Sequence, residues 1–436
     1  MTNIALVVLD TLRKDTFDEY FDWVPGRRYE NAWSTSHYTV PAHASLFTGK
    51  YPSEIGVHAK HETLDCDSPT LAEQLSDAGY RTRALSANLL ASPLNDFDRG
   101  FDEFVPTGNA SGTDDDIFNW RDAIENASNA GLLRDIEVLS KCLLSDSKTL
   151  RSLKYGWKIK TDSVHSAEDS LSKIERMEFG SDEFLYVNLM DVHTPYKPPR
   201  EYQTVPYEGV SIEQWAESGE RNPNERLKTA YNDCARYLSD KYREIFHELE
   251  EHFDYIITVS DHGELFGEHG VGQHIWGVFP ELTHVPVCIS GSHRENVSSD
   301  RPTSLLDVYQ TILDLAQTEK DARGESLLDS PSSNNYISEC HGLRISWLNK
   351  LQEAGVERER IEKLEQTVRG VVFKRGSYVY EQAEGDLVHA GGDDADTALS
   401  EFEEIVSGLD EISVEAGEQR AYTTEVQSQL EDLGYL

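Results

Sequence analysis

The chain has 436 residues, 38% of them hydrophobic and 27% charged, with a formal net charge of −39. That length and apolar share support a large core and exclude wholesale disorder. The charge excludes a nucleic-acid partner, since phosphate contacts need Lys or Arg, and it opposes an anionic membrane surface.

The acid is spread along the whole chain rather than gathered into one tail. A solvated acidic shell suits a cytosol at molar salt, where the screening length falls to about 3 Å and self-repulsion fades. It reads as a halophile's surface, archaeal by expectation, and says nothing of catalysis. The opening run N-I-A-L-V-V-L-D is too short and too early for a signal peptide, and no stretch nears the ~18 apolar residues of a membrane span. Cys66, Cys142, Cys234, Cys288 and Cys340 are odd in number and widely spaced, fitting neither a disulfide framework nor a thiolate metal site. A reduced, cytoplasmic protein with no membrane partner is expected; the oligomeric state leaves no sequence signal.

Short apolar runs bounded by polar turns predict buried strands at Ile4–Leu9, Thr82–Ser86, Phe184–Leu189, Tyr255–Val259 and Val285–Ile289. Helical patterns lie between them, among them Ser68–Ala78, closed by Gly79, and Leu227–Glu251. The alternation predicts an α/β fold with a mainly parallel central sheet flanked by helices, and ligands gathering at the carboxyl ends of its strands. Residues 106–182 are polar and poor in β-branched runs, which predicts a helical insertion over this domain and, in its sharper reading, a lid. Inside it K-T-L-R-S-L-K-Y-G-W-K-I-K (148–160) is a local basic patch, read as a solvated helix face in preference to a lid that gathers an anionic substrate. A helix at Ser304–Leu315 and a hairpin over 370–381, turning at Arg375–Gly376, predict a small C-terminal antiparallel sheet with a packing helix. The main domain is therefore drawn over 1–330, a small subdomain over 331–390 and an acidic, helix-prone tail over 391–436.

The residues able to do chemistry fall at the predicted strand ends. S-H-Y-T-V-P-A-H-A-S-L-F-T-G (36–49) sets Thr39 just before a helix that Pro41 suits and Gly49 stops, where free amides and the dipole favour an anion. Alone, Thr39 would be a helix-capping threonine. Acidic clusters on either side in the sequence make it a nucleophile. Asp10 ends one strand, while Asp261 and His262 follow another, with Gly263 allowing the turn. Asp10, Asp261, His262 and the Thr39 oxygen would hold a divalent metal ion. The imidazole tilts the choice from Ca²⁺ or Mg²⁺ toward Mn²⁺ or Zn²⁺.

F-L-Y-V-N-L-M-D-V-H-T-P-Y (184–196) brings His193 to the same sheet edge, able to bind an ester oxygen or act as general acid, with Asp191 as a ligand or an orienting partner. His274 is a further candidate for that work. Arg13 and His43 are candidates for gathering a small anionic ester, Arg13 equally as a surface pair. His37, His58 and His61 are expected to be loop histidines.

At these residues the chain resembles the sulfatase family of the alkaline phosphatase superfamily. The resemblance runs through L-D-T-L-R, T-V-P-A-H-A-S-L-F-T-G-K-Y-P, G-F-D (100–102), D-V-H-T-P-Y, Y-N-D-C-A-R-Y (231–237), S-D-H-G-E, H-V-P (284–286) and L-L-D-V-Y-Q-T (305–311), over residues 3–340. It implies an alkaline phosphatase-like catalytic domain that hydrolyses sulfate or phosphate esters.

The departures carry information. Formylglycine sulfatases read C-x-P-S-R; here T-V-P-A-H puts Thr39 at the nucleophile, with Ala42 and His43 where Ser and Arg would be. Threonine's Cβ bears a methyl, so oxidation would give a ketone and never the aldehyde. The family's paired Asp-Asp is Asp10-Thr11, and its Asp-Asn is Asp261-His262. Its G-K-W-H is missing, with A-L-S-A-N-L-L (84–90) near its place. A threonine with an Asp-His pair is similar to the superfamily's phosphodiesterases and phosphotransferases. The expected reaction is attack by a metal-held Thr39 on a phosphorus or sulfur ester. A phosphodiesterase, a phosphotransferase or mutase, and a non-catalytic metal-binding module are the alternatives.

Overall fold

The first predicted strand, Ile4–Leu9, is buried at every position and packs on both faces, as the centre of a covered sheet must. Ile4, Leu6 and Val8 share a core with Val40 and Leu46 of the helix Thr39–Thr48 and Val308 of the helix Leu305–Leu315. Ala5, Val7 and Leu9 point the other way, onto Ala235, Leu238 and Tyr242 of the long helix Glu225–Glu250. Each Val or Leu buried this way contributes about 1.5–3 kcal/mol, so the strand stays apolar until Asp10 leaves the sheet.

This computed structural model describes residues 2–108, 110, 137–142, 165–207, 209–218, 223–291, 296–318, 322–328, 334–391, 395–414 and 430. The central sheet has eight strands, in the order Val297–Ser299, Arg27–Tyr29, Val287–Ser290, Tyr255–Val259, Ile4–Leu9, Glu183–Leu189, Arg81–Ser86 and Glu103–Pro106. Helices cover both faces, so the fold is the mixed α/β architecture that the alternation predicts. One strand departs from it. Val287–Ser290 starts two residues later than expected, after Pro286, which has no N–H for the ladder, and runs antiparallel to both neighbours.

The four-stranded C-terminal sheet is antiparallel throughout, and its hairpin turns at Gly376, where φ is +89°. Helix Ala395–Val406 lays Ala398 and Phe402 on one face against Val371 and Val379. Trp347, Leu351 and Ile361 pack with Val372 and Tyr378 in a separate core cluster. The first strand, Tyr336–His341, is tied to the segment before Thr39 through Glu339 N–H to the Thr35 carbonyl at 2.8 Å. Ser53 donates to the Glu339 carboxylate from both its amide and its hydroxyl. The small sheet thus borders the Thr39 helix.

The basic patch 148–160 lies outside the described residues, as does most of 106–182. Among the described residues no helix is long and apolar enough to cross a membrane. Cys66, Cys234, Cys288 and Cys340 are free thiols.

Candidate active site

Strand register assembles the site. Val8 lies opposite Val259 in adjacent parallel strands, so two residues further on Asp10 meets Asp261. On the other side Ser86 pairs with Asn188, which carries Asn88 to the same edge. Four neighbouring carboxyl ends thus converge, where open α/β sheets gather ligands.

Asp10, Asp261 and His262 offer ligand atoms that all lie within 4.8 Å of one another, and all three are buried. The carboxylates are oriented by neutral donors. Asp10 Oδ2 accepts from Asn88 Nδ2 at 2.8 Å and Asn188 Nδ2 at 3.0 Å. Thr11 joins the two acids, its amide donating to Asp261 Oδ1 and its hydroxyl to Asp10 Oδ1. To do so Thr11 sits at φ +65°, a left-handed conformation costing a β-branched residue about 1–3 kcal/mol, typical of backbone held by a functional site. Tyr231, on the long helix, fixes this turn by donating to the Thr11 carbonyl and accepting from the Arg13 amide.

Thr39 is the first residue of its helix rather than the one before it; Tyr38 takes the capping position without a side-chain cap. Gly49 ends the helix at φ +69°, where a Cβ would lie 2.5 Å from the Tyr309 ring. The Thr39 hydroxyl is fully buried, 3.3 Å from Asn88 Nδ2 and 3.4 Å from His262 Nε2. It therefore stands at the ligand cluster with the helix N-terminus behind it.

The imidazoles show their orientation through their partners. His262 Nδ1 meets the Gly263 carbonyl and His193 Nδ1 the Thr194 carbonyl, each at 2.8 Å. A carbonyl only accepts, so Nδ1 carries the proton in both and Nε2 presents a lone pair. His274 packs beside them, its ring 4.6 Å from His262 and 5.1 Å from His193. Burial pushes the pKa of all three down, which keeps them neutral. Burial and then the Asp10 charge push Asp261 up to about 8. Asp10 goes the other way: the imidazoles of His262, His193 and His43 outweigh its burial and hold it below the usual carboxylate value. Two buried acids this close share one negative charge unless a cation joins them.

The residues fit such a cation. Asp261 Oδ2 is buried and accepts no hydrogen bond, although His43 Nδ1 and His262 Nε2 each lie 3.4 Å away. A buried carboxylate oxygen left this way, beside a second carboxylate and an imidazole, suits a divalent metal.

Two expected substrate contacts take other partners. Arg13 donates to Asp15, to Glu268 and to the Glu264 carbonyl, and its guanidinium lies over Phe266, so its charge is spent within the fold. His43 has both nitrogens engaged, Nδ1 with the Thr39 carbonyl at 3.0 Å and Nε2 with Asn188 at 3.5 Å. Asp191 stands outside the Asp10, Asp261 and His262 cluster and accepts from Ser166 and the Ala167 amide at the start of the helix Ser166–Ile174.

His37, expected on a loop, is buried with Nε2 3.8 Å from Cys340 Sγ, and that burial pushes its pKa well down. Asn88 and Asn188 escaped the sequence reading, although each is a polar residue at or just past the end of an apolar strand. Arg344 and Trp347 escaped it as well. The helix Ile345–Glu353 brings the Trp347 ring 6.1 Å from His274, with the Arg344 guanidinium over it at 4.9 Å. No local pattern marks them, because only the tertiary fold places them there.

The chain is 23% identical over 347 residues to the uncharacterized sulfatase YidJ of Escherichia coli (strain K12), covering 70% of this chain and 63% of that protein. It is 23% identical over 363 residues to arylsulfatase K of Xenopus laevis, covering 74% of this chain and 63% of that one. It thus spans less than two thirds of the length of either relative. Its fold is similar to that of the phosphonate monoester hydrolase SpPMH from Silicibacter pomeroyi, with a TM-score of 0.61 at 17% identity over 93% of both chains. Residues 3–318 match the Sulfatase family, and the chain belongs to it.

Proposed function

We propose that the chain is a metal-dependent hydrolase of sulfate or phosphate esters in which Thr39 is the nucleophile. One observation carries this reading: the Thr39 hydroxyl, at a helix N-terminus, lies 3.3 Å from Asn88 Nδ2 and 3.4 Å from His262 Nε2, beside Asp10 and an Asp261 oxygen with no hydrogen bond. Asp10, Asp261 and His262, with the Thr39 oxygen, would hold the cation. The mixed oxygen and nitrogen set favours Mn²⁺ or Zn²⁺ over Ca²⁺ or Mg²⁺. When bound, such an ion supplies Lewis-acid activation of the hydroxyl and neutralises charge on the ester oxygens.

The rest falls to the protein. Thr39 loses its proton to solvent as its oxygen bonds to phosphorus or sulfur; the bond to the leaving oxygen breaks, and that oxygen leaves as the alcohol once protonated. The helix N-terminus favours the anionic group being transferred. His193 and His274 face the site to hold its oxygens or to protonate the leaving alcohol. Water, or an acceptor alcohol in a transferase, then releases the group from Thr39. Threonine cannot form the aldehyde hydrate of formylglycine sulfatases, which favours phosphoryl chemistry over sulfuryl.

The test is hydrolysis of matched nitrophenyl phosphate monoester, phosphodiester, phosphonate and sulfate, with Mn²⁺ or Zn²⁺ in molar KCl. Phosphoester turnover that disappears in Thr39→Ala is expected. Full turnover in that variant would remove Thr39 from the reaction, and dominant sulfate turnover would overturn the phosphoryl preference. The surface charge of −39 we read as adaptation to molar salt. Thermal unfolding should then move to higher temperature from dilute buffer to molar KCl; a flat or falling midpoint would contradict it.

A further inference from the structure

The turn after His262 delivers a buried carboxylate that no step above uses. At Gly263 the chain passes so close to Glu281 that a Cβ would lie 2.0 Å from the Glu281 carbonyl oxygen. Glu264 follows, fully buried. Its Oε2 accepts from the Tyr196 hydroxyl at 2.7 Å, and its Oε1 faces His274 Nδ1 at 3.2 Å. Its backbone carbonyl accepts from Arg13 Nη1 at 3.0 Å, and Asp15 and Glu268 hold Arg13 in turn.

Three imidazoles therefore line this part of the site with Nδ1 bound behind them, but the partners differ. His262 and His193 lean on backbone carbonyls of their own loops. His274 leans on a side-chain carboxylate from another segment, itself fixed by Tyr196 and the Arg13 clamp. A carboxylate behind an imidazole sets its tautomer and supports a proton passing through the far nitrogen, as a carbonyl dipole does only weakly.

Resting on the Thr39 reaction above, we propose that Glu264 is a positioning residue that turns His274 so that Nε2 meets the leaving oxygen. His274 rests with its proton on Nδ1, so Nε2 first takes up a proton from solvent, its charge balanced by Glu264 behind the ring. As the bond from phosphorus or sulfur to the leaving oxygen breaks, that proton passes to the oxygen. Water returns a proton to Nε2 when its oxygen displaces Thr39. Leaving-group work then belongs to His274 rather than His193, and Arg13 serves the reaction by holding the Glu264 turn.

Two measurements on the full chain test this. In ring-nitrogen NMR, His274 should carry its proton on Nδ1. Glu264→Ala should let both tautomers appear, while Glu264→Gln, whose amide oxygen still accepts, should keep the first. In kinetics with esters whose leaving alcohols run from good to poor, Glu264→Ala should slow the poorest about 100-fold at unchanged KM, against less than about 10-fold for nitrophenyl esters. Glu264→Gln should recover most of that loss. Tyr196→Phe removes one hydrogen bond and should show a smaller loss graded the same way; it decides the matter if Glu264→Ala does not fold. An equal loss across all leaving groups, or an unchanged His274 tautomer in Glu264→Ala, would overturn the role of Glu264. Activity retained in Thr39→Ala would instead remove the reaction on which it rests.

Discussion

The two halves of the site are built by opposite means. In one, Asp10 and Asp261 bring negative charge into a fully buried position, steadied by the neutral donors Asn88, Asn188 and Thr11 and left one hydrogen bond short. In the other, His193 and His274 are neutral rings with Nδ1 already tied to an oxygen acceptor. The first half offers a site that suits a cation. The second is complete as it stands and presents nitrogen lone pairs. The contrast separates charge neutralisation from the handling of ester oxygens and protons, and the two should respond to different mutations.

The largest expected effect lies in the imidazole half. His274→Ala should lower kcat by roughly 10²–10⁴-fold toward esters with poor leaving groups, while calorimetric metal affinity changes little. A matching loss of metal affinity would merge the halves. In the carboxylate half, Asp10→Asn should weaken metal binding by more than about 100-fold, exceeding what a partner outside the ligand set costs. Asn88→Ala, which removes only such a partner, should cost roughly 10–100-fold in metal affinity, read by the same titration. No loss there would mean that Asn88 serves Thr39 alone.

The smallest effect concerns stability without metal and has a definite sign. The Asp261 carboxyl is raised to about 8 in the fold, against about 3.9 in the unfolded chain. The folded state therefore keeps a proton that the unfolded chain loses, and the stability this proton gives is lost as pH rises across that window. With EDTA present, the stability of the natural chain relative to Asp261→Asn should fall by roughly 1 kcal/mol per pH unit between those values, followed by urea unfolding. Added Mn²⁺ or Zn²⁺ should reverse the order at high pH. A gap that ignores pH would place the shared charge elsewhere.

Much of this was legible in the sequence, for reasons that differ residue by residue. Ile4–Leu9 and Tyr255–Val259 announce themselves as buried strands by uninterrupted apolar runs, and Asp10 and Asp261 by ending them. Thr39 is legible because Pro41 and Gly49 bracket its helix. The antiparallel course of Val287–Ser290 is not, since direction depends on how the chain returns to the sheet. From L-D-T-L-R, Arg13 reads equally as a charge for the site or as a surface pair; its partners are Asp15, two residues away, and Glu268, which arrives from far along the chain. His43 reads as a substrate ligand because its helix points inward, but both nitrogens are taken by the scaffold. Trp347 and Arg344 had no signal, because their place depends on how the small sheet docks through Glu339.

The most direct measurement is rapid quenching during turnover of a slow phosphoester, followed by mass spectrometry of the peptide spanning residues 36–49. A phosphoryl group on Thr39, formed and lost at the rate of turnover and absent from Thr39→Ala, is the expected result. Steady turnover with the peptide unmodified, and undiminished in Thr39→Ala, would contradict the claim that this threonine is the nucleophile.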